Sequence, residues 1–311
     1  MMTLNKIKDI ISVNKITPPK KNDHNLNDEI FQEKVDNWSN QNFYEIKFKY
    51  KNKVVTGYII EPKTQSNFPC IIYNRGGIGK FGQIEDKHIF YILSDMASWG
   101  YVVTAVEYGD FDEYGGEDVE YVKELHKILK NYDKINSVQT GLFGASRGGM
   151  MNYLLLKEKN FAKCAVIKAG VSDQNRGYKL RPELKKIDSN FYDSSNKQEI
   201  YNRSSINWIK DICQNCPIML LHGLGDTQVS PLDSLDVAYE LYKYNRSFSL
   251  LLFNKDNHRL SINKQLVQSQ TKKWFDTYLK GEEKGQFNWM KFISLVTWHE
   301  IWNQINIVLI V

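Results

Sequence analysis

Cysteine is scarce, with four residues in 311, too few for a disulfide framework and in keeping with a compartment where thiols stay free. Cys70 and Cys164 lie in apolar runs and read as small core residues. Cys213 and Cys216 make one C-x-x-C with no second pair and no histidine at ligand spacing. That is a loop before a strand rather than a zinc or redox centre, so no metal is expected. Long hydrophobic runs are missing too. The opening MMTLNKIKDIISVNK is broken by Asn5, Lys6, Lys8 and Asp9, unlike a signal peptide, and no stretch can span a bilayer. A cytoplasmic location follows as the expectation. Neither sign of charge dominates, since 41 Lys and Arg against 36 Asp and Glu leave only +5. The excess is densest at Lys20-Lys21 and between Lys47 and Lys53, a solvated basic surface. With no zinc-finger, RNP or helix-turn-helix pattern, no nucleic-acid partner is expected. The glycines lack the G-K-[ST] of a phosphate loop, and no cofactor is implied.

What is present is an alternation of strands and helices. Residues 1–42 form a polar amino-terminal extension, with helical spacing of Ile30, Phe31, Val35 and Trp38. Phe43–Tyr50 and Lys53–Ile60, joined by Lys51-Asn52, predict an antiparallel hairpin. Strands follow at Phe68–Tyr73, Tyr101–Val106, Val138–Phe143, Cys164–Lys168, Pro217–His222 and Phe248–Phe253. Helical patterns separate them at Lys87–Trp99, Asp118–Leu129, beyond Gly149, at Asp233–Tyr244 and from Lys264 to about Leu279. The class is α/β: a mostly parallel sheet with an antiparallel start and helices on both faces, in a domain over residues 43–280. Residues 172–205 are polar and aromatic, lie between two core strands, and are expected to cap the strand ends. Residues 281–311 form a tail with Trp289, Trp298 and Trp302, ending in an apolar Ile305–Val311; a packed element, a dimer contact or a frayed end would each fit it.

The stretch VQTGLFGASRGG from Val138 to Gly149 carries the chemistry. A buried strand, G-x-S-x-G and a helix make a nucleophile elbow, in which Ser146 projects from a turn too tight for side chains at its glycines. A serine needs a base, and the base needs a carboxylate to hold its tautomer. Asp226 follows one later strand in a Gly-rich loop, and His258 follows the next, in the order Ser, Asp, His. Asp256 competes with Asp226 for the acid's role but sits on the base's own loop. His222, at the end of a strand, is expected to be structural. Oxyanion donors are expected from the amide of Arg147 and from Asn74-Arg75-Gly76-Gly77, after an early strand.

Together NRGG, GASRGG, HGLGDTQVSP and NKDNH resemble the catalytic domain of the prolyl oligopeptidase family, across residues 43–280 and in the family's order. Gly116-Glu117-Asp118-Val119 resembles the family's approach to the helix before the elbow. The resemblance implies an α/β-hydrolase fold and a serine peptidase with Ser146 as nucleophile, Asp226 as acid and His258 as base. It also implies an oxyanion hole built from Arg147, Gly76 and Gly77. Two departures stand out. Arg75 occupies a place where family peptidases often have Tyr or His, leaving three roles for it: oxyanion donor, anchor for a substrate carboxylate, or ion pair with a loop acid such as Asp110. Residues 1–42 leave no room for the β-propeller of many relatives, so size selection would fall to residues 172–205 or be absent. The expected substrate is a small peptide; a carboxylesterase is the alternative, and a non-catalytic binding protein on the same scaffold is the reading from another class.

Overall fold

The computed structural model describes residues 3–19, 28–64, 67–282 and 305–310. Its strands are β1 (Ile10–Lys15), β2 (Gln41–Tyr50), β3 (Lys53–Pro62), β4 (Phe68–Asn74), β5 (Val102–Glu107), β6 (Ile135–Ala145), β7 (Cys164–Lys168), β8 (Ile218–Gly223), β9 (Phe248–Phe253) and β10 (Ile305–Ile310). They form one sheet in the order β1-β2-β3-β5-β4-β6-β7-β8-β9-β10. Pairing is antiparallel from β1 through β3 to β5 and parallel from β5 onward. The hairpin turns at Lys51-Asn52, with Tyr50 opposite Lys53 and Lys51 at φ 51°. This is the α/β-hydrolase arrangement.

Helices α1 (Asp28–Ser39), α2 (Asp86–His88), α3 (Ser94–Ser98), α4 (Asp118–Leu129), α5 (Arg147–Leu155), α6 (Gln174–Leu180), α7 (Glu183–Asp188), α8 (Lys197–Arg203), α9 (Leu232–Lys243) and α10 (Lys264–Phe275) complete the chain. A π-helical turn, Ile89–Leu93, joins α2 to α3, so the expected helix at Lys87–Trp99 is present but widened in its middle. The side-chain period of two along the strands sorts the core into two layers. Cys70, Ile72 and Leu142 pack beneath α4, α5 and α9, whereas Ile71, Tyr73 and Phe143 face the 86–98 helical stretch and α10. Strand order changes direction between β4 and β6, so the loops leaving their carboxyl ends diverge and open a crevice there.

The edge strands of the sheet are β1 and β10. β1 lies in the stretch expected to be a polar extension and pairs with β2; as an edge strand it is only partly buried, so its alternation is weak. β10 pairs with β9 through backbone hydrogen bonds, while residues 283–304, including Trp289, Trp298 and Trp302, lie outside the described residues. Among the described residues no helix is long and apolar enough to cross a membrane.

A buried histidine in α4 makes the fold pH-sensitive. His126 is 9 % exposed and packs edge-on against Phe161, with ring centroids 5.2 Å apart. Burial, with Lys130 nearby, lowers its pKa to about 4. The folded state therefore disfavours the proton that the unfolded chain takes up below about 6.5. Stability is lost as pH falls from about 6.5, and the loss is complete near 4, at about 3 kcal/mol. His126→Phe is expected to lose less stability than the wild type between pH 7 and pH 4, read as urea midpoints. Parallel pH slopes for the two proteins would show that His126 does not carry this dependence.

Candidate functional site

The site begins where the backbones of β4, β6 and α5 come too close for side chains. A Cβ on Gly144 would lie 2.1 Å from the Gly148 carbonyl oxygen, and one on Gly148 would lie 2.0 Å from that of Asn74. Between these glycines Ser146 adopts φ 57° and ψ −123°, outside the region open to most side chains. Its amide donates to the Lys168 carbonyl at 2.9 Å and its own carbonyl accepts from Gly149 and Val171. The strained turn is thus held from both sides. Asn74 and Asn152 bond to each other at 2.8 Å, and Asn152 donates to the Val166 carbonyl, tying β4, α5 and β7 together beneath it.

Asp226 and His258, the candidate acid and base, lie in direct contact. His258 Nδ1 donates to Asp226 Oδ2 at 2.7 Å, which leaves Nε2 free to take a proton. The His258 side chain is 15 % exposed, and the acid side chain is fully buried. Burial raises the Asp226 pKa, but hydrogen bonds from His222, His258 and the Val229 amide outweigh it and hold the carboxyl well below the usual range. The other oxygen, Oδ1, accepts from the amides of Gln228 and Val229 at 2.8 and 3.0 Å. His222 is more than a core histidine. Its Nε2 lies 3.2 Å from Asp226 Oδ2 and 3.1 Å from the Val229 carbonyl, while Nδ1 lies 2.7 Å from Ser234 Oγ. With Nε2 as donor and Nδ1 accepting from the hydroxyl, every contact is satisfied, so His222 braces the acid from below.

Asp256 does not compete for the base. It is fully buried and accepts from the amides of Asn257, Ile262 and Asn263 and from Asn263 Nδ2, at 2.9 to 3.2 Å. That carboxylate shapes the loop carrying His258. Lys168 Nζ donates to the carbonyl of Arg259, next to His258, at 3.3 Å, and the same lysine's carbonyl holds the Ser146 amide. One residue therefore joins the elbow to the base loop.

On the oxyanion side, Gly76 lies against the elbow: a Cβ there would be 3.4 Å from that of Ser146 and 3.1 Å from the Ala145 carbonyl oxygen. Gly77, at φ 77°, turns the chain, and a Cβ on it would strike the Phe81 carbonyl at 2.1 Å. The Arg147 amide, the first of α5, has no intrahelical acceptor.

Two of the three roles foreseen for Arg75 are closed by burial. Its side chain is fully buried and donates to Glu107 Oε1 from Nε at 3.0 Å and Nη2 at 2.7 Å. Nη1 bonds the Gly76 and Phe81 carbonyls at 3.1 and 3.4 Å, and Nη2 the Gly79 carbonyl at 3.0 Å. No nitrogen is left for an oxyanion or a substrate carboxylate, which corrects the expectation of a side-chain donor. The ion-pair role stands with Glu107 as partner; the Asp110 side chain lies outside the described residues.

Sequence reasoning assigned no role to the acids that complete this region, and named Asp118 only within Gly116-Glu117-Asp118-Val119. The Arg147 side chain, 1 % exposed, runs beneath the oxyanion loop to Asp112, at 2.6 and 2.5 Å, and to Asp118. Asp112 and Glu107 lie at or just beyond the carboxyl end of β5, on the edge that bears the elbow; that placement was the one available signal. Among the described residues no cluster of His, Cys, Asp or Glu could hold a metal ion.

Residues 172–205 fold into α6, α7 and α8 with short turns between them. Phe191 approaches Gly79 closely, Tyr192 stacks on Tyr114 with ring centroids 6.1 Å apart, and Arg203 donates to the carbonyls of Tyr114 and Glu113. The segment is thereby anchored to the loops around the oxyanion region.

A family model described as the prolyl oligopeptidase family matches residues 96–282. The uncharacterized peptidase YtmA of Bacillus subtilis (strain 168) is 28 % identical over 233 residues, 69 % of this chain and 87 % of that protein. Among solved structures, the acylaminoacyl peptidase of Pyrococcus horikoshii superposes with a TM-score of 0.70 at 20 % identity, over 86 % of this chain and 46 % of that one. A puromycin-hydrolyzing peptidase of Mycobacterium tuberculosis gives 0.62 at 19 % identity, over 73 % of this chain and 37 % of that one. The chain therefore spans less than half of either solved relative, and at these identities the likeness is one of fold.

Arg75→Met is expected to destabilise the protein by about 3 kcal/mol or more, because it strands a largely buried carboxylate. Activity on a neutral ester and on a matched substrate with a free carboxylate should fall in the same proportion, measured as kcat/KM beside a melting curve. A selective loss on the acidic substrate would restore the anchor.

Proposed function

The chain belongs to the prolyl oligopeptidase family, and we propose that it is a serine peptidase acting on small peptides through an acyl-enzyme. In this reading His258 Nε2 removes the Ser146 proton as the hydroxyl attacks the carbonyl carbon, and Asp226 stabilises the imidazolium that forms. The amides of Gly76 and Arg147, with Gly77 beside them, receive the oxyanion. The imidazolium then protonates the leaving amine, and water deacylates the serine by the reverse path. The observation that carries the proposal is the 2.7 Å His258–Asp226 bond, on the same sheet edge as a serine held at φ 57°.

Support for a peptide substrate comes from the family and from the rim. Phe81, Leu224 and Ile262 are 75, 41 and 70 % exposed and stand on the loops that carry the oxyanion glycines, the acid and the base. Apolar side chains of a peptide would find partners there. Carboxylesterase activity stays the alternative, since an ester needs the same acyl chemistry and a better leaving group.

Ser146→Ala is expected to abolish both hydrolysis and fluorophosphonate labelling while leaving the melting temperature near that of the wild type. Label retained on another serine would move the nucleophile elsewhere. Asp226→Asn should lower kcat on the order of 10⁴, as loss of the correct tautomer does in serine proteases, whereas Asp256→Asn should chiefly lower stability. The reverse ranking would reassign the acid. A panel of aminoacyl and N-acyl-peptide anilides against p-nitrophenyl esters separates peptidase from esterase; turnover confined to the esters would reject the peptidase.

A further inference from the structure

The loop that carries Gly76 has little shape of its own. Gly77, Gly79 and Gly82 all take positive φ, at 77°, 54° and 80°. Glycine loses more conformational freedom on folding than any other residue, so such a segment holds one geometry only if something outside imposes it. An oxyanion hole demands that geometry, because its donors must sit within about 0.5 Å of their working positions.

Beside the bonds from Arg75 to the carbonyls of Gly76, Gly79 and Phe81, Asp112 makes part of the contacts that impose it. Its Oδ2 accepts from the Gly79 amide at 2.7 Å and from Arg147 Nη1 at 2.6 Å. The same Nη1 donates to the Gly77 carbonyl at 3.1 Å. A single ion pair thus grips both ends of the Gly77–Gly79 segment, one by its carbonyl and the other by its amide. Asp112 Oδ1 accepts from Arg147 Nη2 at 2.5 Å and from the Tyr114 amide at 2.8 Å, which fixes the carboxylate itself. Arg147 follows Ser146, so its backbone belongs to the elbow while its side chain belongs to the loop.

We infer that Asp112 is a positioning residue for the oxyanion hole, setting the glycine loop against the elbow through the Gly79 amide and the Arg147 guanidinium. This rests on the Ser146–His258–Asp226 reading given above. Asp112 touches no substrate; it acts through the groups that do. The effect belongs to the transition state, where negative charge develops on the carbonyl oxygen, and so should appear in kcat rather than in KM.

Asp118 supplies a matched control. It pairs with the same guanidinium, yet its other bonds go to the Gly115 amide, at 3.0 and 3.1 Å, and not to the glycine loop. Both Asp112→Asn and Asp118→Asn strip Arg147 of a carboxylate and should lower the melting temperature. Only Asp112→Asn sets an amide group against the donors that hold the loop. Activity is to be measured per active site titrated with a fluorophosphonate probe, together with the rate of labelling. Asp112→Asn is expected to lower kcat and the labelling rate on the order of 10², with KM within about threefold of the wild type. Asp118→Asn should keep kcat within about threefold. Equal kcat losses in the two variants, or a destabilised Asp112→Asn with wild-type kcat, would overturn the proposal and leave a purely structural ion pair. If Asp112→Asn does not accumulate as folded protein, Asp112→Glu keeps the charge but displaces the acceptor by one methylene, and the same split between kcat and KM decides. A wild-type protein that neither labels nor hydrolyses would overturn the triad reading and this proposal with it, an outcome distinct from a labelled wild type whose two variants behave alike.

Discussion

A buried guanidinium must be neutralised, and the demands of Arg147 organise the region around the nucleophile. Its side chain is 1 % exposed and meets two carboxylates, Asp112 and Asp118, and the rings of Tyr108 and Tyr114. Removing a charge of this kind from water costs several kcal/mol, so the pairing adds little net stability, whereas breaking it is severe. Such an arrangement selects one conformation out of many. The two acids respond differently to their shared cation. Burial raises the pKa of both, but in Asp112 the pull of Arg147 and two backbone amides reverses the effect, while in Asp118 burial prevails. The carboxylate that holds the glycine loop is therefore the one whose surroundings favour its ionised form.

Arg75 repeats the device on the same loop, with its Nη2 also 3.7 Å from Asp112 Oδ2. It grips the carbonyls of Gly76, Gly79 and Phe81, and Glu107, its partner, accepts from the Ile84 and Gly109 amides. Tyr108 lies against both guanidinium groups, with ring centroids 4.7 and 4.4 Å from them. Two arginine–carboxylate pairs thus do for the oxyanion loop what hydrogen-bonded strands do for the sheet: they satisfy its backbone groups and fix its path. Around His258 two further acids act in the same way, Asp226 holding His258 and Asp256 holding the loop on which His258 sits.

The change of strand direction opens the crevice at the switch between β4 and β6. The helices of residues 172–205 are anchored beside it by Phe191, Tyr192 and Arg203. Their attachment runs through Gly79 and Tyr114, the two residues whose amides Asp112 holds.

The fold class was legible, and a candidate nucleophile, acid and base could be named, because each is a local pattern. A buried strand breaking into G-x-S-x-G, and two later strands breaking into loops with Asp226 and His258, need only a few neighbouring residues to be recognised. The hairpin and α4 were equally local, marked by the alternation around Lys51-Asn52 and by helical spacing. β1 was not legible, because a half-exposed edge strand has little apolar alternation to show. The role of Arg75 was beyond the sequence for a different reason. A guanidinium beside a nucleophile can face solvent or core, and only the packing of Glu107, 32 residues away, decides which. His222, Asp112 and Asp118 belong with it: their partners are set by where strands end in space, and no periodicity along the chain encodes a hydrogen bond between two loops. The sequence by itself determined the order of strands and helices and the loops that bear Ser146, Asp226 and His258; tertiary structure decided which charged groups are buried to hold those loops still, because their partners meet only across the fold.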